Sequence, residues 1–150
     1  MINLNNNFPG KSFRDPMDKE VLKFEQAILR NPEDASAFAG LAVSYIFLWC
    51  YGFLSREDSI PKAKRAATQA VKINNEIGEA HTALGIMKLS EWDWKSAEQE
   101  FQLAIELNPG NPDAHHWYAL YLSAMGKHDK ALKSSRHSLS LSPVFYSDIG

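Results

Sequence analysis

An all-α stack of helical hairpins is the fold class that this sequence predicts, and three observations predict it. Ala63, Ala97 and Ala131 recur at a step of 34 residues, and Ala70, Ala104 and Ser138 recur at the same step. Pro109 and Pro143 repeat it once more. Small residues at fixed places in paired helical segments describe a unit that can bury its apolar face only against its neighbours. The expected architecture is a solenoid of about seven helices.

Residues 1–16 are rich in Asn and carry Pro9, Gly10 and Pro16, which reads as a loose leader. They lack the charged start and apolar run of a signal peptide. Val21, Phe24 and Ile28 then recur at helical spacing, so a first helix is expected over Met17–Arg30, ended by Asn31-Pro32. Asp34 caps a second helix reaching Trp49. A third spans Arg56–Asn74, with Ser55 and Asp58 as cap candidates and Pro61 in its first turn. Four more follow over Gly78–Ser90, Trp94–Leu107, Pro112–Met125 and His128–Leu141. Glu91-Trp92-Asp93 and Gly126 separate the two helices within a unit, whereas Asn108–Pro112 and Ser142-Pro143 close one. The organisation is therefore a partial unit at 17–34, a unit at 35–77, regular units at 78–111 and 112–143, and at 144–150 the start of a further helix.

The unit at 35–77 breaks the period. Leu41 to Leu84 and Ala27 to Ala70 are each 43 residues apart, nine more than the step. Both intervals place the insertion between Leu41 and Ala63, around Trp49–Asp58. Ala42, Gly85 and Ala119 occupy the close approach on first helices, opposite Ala63, Ala97 and Ala131 on second helices. A bulky side chain there would force the pair apart.

These residues together resemble the tetratricopeptide repeat family over Met17–Pro143, a resemblance that implies a right-handed superhelical stack. In Glu79–Pro109 the Leu84-Gly85 pair, Ala97, Phe101, Ala104 and Pro109 stand where the family pattern has them. The last unit keeps Ala119, Gly126, Ala131 and Pro143, with Ser135 in place of an aromatic. The run from Gly52 through Glu91–Trp94 to His115–Leu122 is also similar to repeats appended to bacterial transcription regulators, adenylate cyclases and kinases. That likeness implies a regulatory, partner-binding appendage of a larger protein, acting in the cytoplasm.

Composition narrows the classes of function. A net charge of −2 gives no footprint for nucleic acid. Cys50 is alone, so no disulfide framework forms within one chain, which fits a reducing compartment. Ala35–Leu54 carries no charge over twenty residues, long enough to span a bilayer. Its Ser36, Gly40, Ser44, Tyr45, Tyr51 and Gly52, and its place in the repeat frame, assign it instead to a helix packed on both sides.

The inner helices should line a concave groove. Helical spacing assigns to it Gly40, Val43 and Phe47, then Thr82, Ile86 and Ser90, then His116, Trp117 and Leu120. The set holds no Lys, Arg or Asn, unlike repeats that clasp a peptide's terminal carboxylate. The leading expectation is capture of a protein or peptide by apolar and aromatic contacts, set against mere mutual packing of these side chains. The alternative is self-assembly into a homodimer through Trp49, Tyr51, Phe53 and Leu54, set against their folding back onto the first helix. Neither metal nor cofactor is expected, because the five histidines lack ligand spacing. Asp113, His116 and Ser123 can be drawn as a triad, but no nucleotide or nucleophile motif accompanies them, so no enzyme is expected.

Overall fold

The computed structural model describes residues 11–142, with side chains from Met17 onward. The expectations for Pro143 and for 144–150 lie outside the described residues, as does most of the leader. Seven α-helices follow one another: α1 Lys11–Arg30, α2 Ala35–Cys50, α3 Arg56–Ile73, α4 Gly78–Ser90, α5 Trp94–Leu107, α6 Pro112–Ala124 and α7 His128–Leu141.

The helix ends follow from capping chemistry. Asp34 accepts from the Ala37 amide at 2.9 Å, Ser55 from Asp58 at 3.1 Å and Asn111 from Asp113 at 3.0 Å. Each satisfies an amide that the first turn leaves without an intrahelical partner. One boundary of the leader is corrected: α1 opens at Lys11, so the helix runs through Pro16. A proline in the second turn forfeits one hydrogen bond, to the Ser12 carbonyl, at an end where the helix has little to lose.

Antiparallel hairpins α2/α3, α4/α5 and α6/α7 form the units. The first helices α2, α4 and α6 touch in sequence and make an inner layer, while α3, α5 and α7 each pack outside it. Small residues set the approach, as their recurrence predicts. Ala63 and Ala97 are fully buried, and Ala131 nearly so. Ser138 takes the place of Ala70 and Ala104, and its hydroxyl donates to the Pro112 carbonyl at 2.8 Å, so the polar atom is satisfied. Gly85 cradles the fully buried Phe101 ring: a Cβ there would stand 2.7 Å from Phe101 Cε1.

The nine-residue insertion is shared along one hairpin. Compared with α4/α5, α2 gains three residues, the turn two and α3 four. The α2/α3 hairpin thus projects about one helical turn further than its neighbours. The added turn of α3 also carries Pro61 into the second turn of its helix, a correction to the first-turn expectation. Leu48 and Ile60 are buried in the extension, and Trp49, Phe53 and Leu54 pack against the same core.

The turns between paired helices need a left-handed residue. Gly52 and Gly126 supply it, with φ of 74° and 77°. In the α4/α5 turn the equivalent position is Trp92, at φ 62°. Trp92 is 76% exposed and meets Trp94 edge-on. Trp94 is half-buried against the core, so only one of these two tryptophans covers the hairpin.

A concave groove with an acidic mouth

Helix α1 makes its backbone contacts with α2 alone and partly roofs the inner layer. Phe24 lies so close over Gly40 that a Cβ would stand 2.3 Å from Phe24 Cζ. Glycine at this position is therefore a seat for the ring, and Gly40 itself lines the groove that opens beside it. Beside the seat opens a groove of about 290 Å³, lined by Met17, Glu20 and Phe24 from α1 and by Val43, Ser44 and Phe47 from α2. Glu79 of α4 and Asp113 of α6 complete it.

Those last two residues are one repeat apart, 34 positions, and each lies in the first turn of an inner helix. The stack thereby brings two carboxyls to the same mouth. Neither has an ion-pair partner among the described residues. The Glu79 side chain reaches solvent, yet loss of hydration at the groove mouth pushes its carboxyl above the usual carboxylate range, and the charge of Asp113 adds to this. The groove thus pairs apolar walls with uncompensated negative charge.

The residues predicted for the groove differ in where they lie. Val43 and Phe47 line it, half-buried. Thr82 and Ile86 are only 3% and 4% exposed, so they are buried and do not line the groove, with the Thr82 hydroxyl donating to the Gly78 carbonyl. Ser90 is half-buried and its hydroxyl donates to the Met87 carbonyl at 2.7 Å. His116 and Leu120 are exposed on α6, away from this opening. Trp117 is half-buried against the core rather than free as an anchor. The sequence reading missed Met17, Glu20, Phe24, Glu79 and Asp113. The 34-residue spacing of Glu79 and Asp113 was the available signal.

For the predicted dimer patch, only Tyr51 is exposed, at 63%. Trp49, Phe53 and Leu54 are half-buried because they fill the extended hairpin, so the four do not form one open surface.

Histidines serve the unit junctions. His81 Nδ1 lies 2.6 Å from Glu100 Oε2 and Nε2 lies 2.7 Å from the Asn75 carbonyl. One repeat later, His115 Nε2 meets the Pro109 carbonyl at 2.8 Å, and the ring stands edge-on to His137. Among the described residues no group of three metal-ligating side chains converges. No hydrogen bond joins Asp113, His116 and Ser123. No described helix is long and apolar enough to cross a membrane.

Comparison with known proteins agrees with this architecture. A family profile described as Tetratricopeptide repeat matches residues 100–133. The fold is that of tetratricopeptide-repeat proteins. The solved TTC0263, a thermophilic TPR protein of Thermus thermophilus, superposes with a TM-score of 0.68 at 17% identity, over 89% of this chain and 69% of that one. MamA superposes with a TM-score of 0.57 at 21% identity, over 95% of this chain and 77% of that one. Among curated proteins, the transcriptional regulator HilA of Salmonella typhimurium is 23% identical over 119 residues, which is 79% of this chain. HilA of Salmonella typhi matches over the same share. The chain spans 22% of the length of these regulators.

Proposed function

We propose that this chain is a non-catalytic protein-interaction module that captures a partner segment carrying an apolar anchor and a cationic side chain. The observation that carries the reading is the concave groove, where Val43, Phe47 and Phe24 flank a mouth holding Glu79 and Asp113. An aliphatic or aromatic side chain replaces water against Phe47. A Lys or Arg beside it relieves the repulsion between the two carboxyls. Charge of this kind governs partner choice and encounter rate more than affinity. The likeness to HilA supports the further reading that the module is a regulatory appendage of a larger protein in the cytoplasm, where the unpaired Cys50 stays a thiol.

A fluorescent amphipathic peptide of leucine and lysine tests the reading by anisotropy. Binding to the intact chain should weaken about tenfold in Phe47→Ala and in the double variant Glu79→Gln/Asp113→Asn. Equal affinity for all three proteins would refute capture in this groove.

A further inference from the structure

A second groove lies on the other flank of α1, toward α3, and has the opposite charge. The backbones of α1 and α3 do not touch, and both rest on α2. Between them opens a groove with a volume of about 890 Å³. Its floor is the outer face of α2, where Phe38 and Leu41 are half-buried. Tyr45 completes the floor and is fixed from both walls: its hydroxyl donates to Glu25 Oε1 at 3.3 Å, and Lys62 Nζ lies 5.5 Å from the ring centroid.

The two walls differ in chemistry. Lys62, Arg65, Gln69 and Lys72 recur at three- and four-residue steps and line the groove from one face of α3. Lys64 is held by Glu91 at 2.6 Å, whereas Arg65 and Lys72 have no carboxylate within 4 Å among the described residues. On α1, among the described residues, Glu25 alone lines the groove; Leu22 and Leu29 lie beside it on the helix, within about 60° of rotation, outside the lining. They are 55% and 82% exposed, and Leu29 is more exposed than any other large apolar residue described.

We infer that this groove docks an acidic amphipathic helix of a partner protein. An apolar floor beside a basic wall fits a helix with an apolar stripe and carboxylates along the flank that faces α3, away from Glu25. Its stripe meets Phe38, Leu41 and the Tyr45 ring, and its carboxylates run beside Arg65 and Lys72. Helix-in-groove recognition reads such i, i+3, i+4, i+7 patterns. Nucleic acid fits less well, since cations line only one wall, Glu25 opposes them, and the chain carries a net charge of −2. This inference does not rest on the concave groove, and the two surfaces together make the stack a two-groove adaptor.

The test uses a fluorescein-labelled helical peptide of about 16 residues with leucines at i, i+3, i+4 and i+7, glutamates along one flank and glutamine elsewhere. The full chain should bind it. Arg65→Gln/Lys72→Gln should weaken binding about tenfold, while Glu79→Gln/Asp113→Asn leaves it unchanged. All four positions are exposed, so matching thermal melts will show that the variants remain folded. Wild-type affinity in Arg65→Gln/Lys72→Gln, or no binding at all, overturns the inference. Displacement of the peptide by a short oligothymidylate at lower concentration overturns it in favour of nucleic acid. A probe-independent dimer that the Arg65→Gln/Lys72→Gln variant dissociates overturns it in favour of a second copy.

Discussion

Replacing His81 by glutamine is expected to destabilise the stack, and to do so more strongly below neutral pH than above it. The side chain is 7% exposed, and its two nitrogens face a carboxylate and a carbonyl at 2.6 and 2.7 Å. Both partners only accept, so the ring satisfies both only as the imidazolium, donating from each nitrogen. The hydrogen bond to Glu100 raises its pKa most; burial opposes the rise, and the Asn75 carbonyl and the Glu100 charge add to it. A His held above its unfolded value stabilises fully below about pH 6.5, and that stabilisation is lost as pH rises through the folded value. Hydrogen bonds to charged groups contribute about 1.5–3 kcal/mol, and glutamine can restore one of the two, so the loss near pH 5.5 is about 2 kcal/mol. For a chain of this size that lowers Tm by about 4–8 °C. Near pH 9 the neutral wild-type ring keeps a single donor, and the gap should shrink to about 1 kcal/mol. Thermal melts of both proteins by circular dichroism at the two pH values check this. A gap that is constant, or that widens with pH, would refute the doubly bonded imidazolium.

Two other substitutions test the packing. Gly85→Ala gains about 1 kcal/mol in helix propensity, but its Cβ would stand 2.7 Å from the fully buried Phe101 ring. Overpacking costs about 1–3 kcal/mol, so a net loss of about 1 kcal/mol is expected in urea unfolding, and a gain would contradict the cradle. Ser59 is fully buried in the extended hairpin, and its hydroxyl has no hydrogen-bond partner. Ser59→Ala removes an unsatisfied polar atom and should stabilise by about 1 kcal/mol, raising Tm by about 2–4 °C.

The fold was legible because its determinants are local and periodic. Ala63, Ala97 and Ala131, the caps Asp34 and Ser55, and the closing Asn-Pro segments fix the helices, their pairing and their order. The insertion was located by counting alone, but not its form: spacing cannot tell a long loop from two helices that each grow by a turn. Trp49, Phe53 and Leu54 therefore read as a candidate surface patch, whereas they lie half-buried against the core in that added turn. The groove was legible only in part. Helical spacing assigns a residue to a face, and Val43 and Phe47 follow from it. How far α1 closes over that face depends on Phe24 seating on Gly40, a contact between helices that no periodicity announces. The pairing of Glu79 with Asp113 arises between units, and only the repeat length brings them to one mouth.

The central claim is that the concave groove captures a cationic, apolar segment. An amide chemical-shift titration of the ¹⁵N-labelled chain with the leucine–lysine peptide tests it most directly. The account predicts perturbations centred on Glu20, Val43, Phe47, Glu79 and Asp113, with Arg65 and Lys72 in the other groove unmoved. Shifts centred instead on α3, or on the turn that carries Trp92, would contradict it.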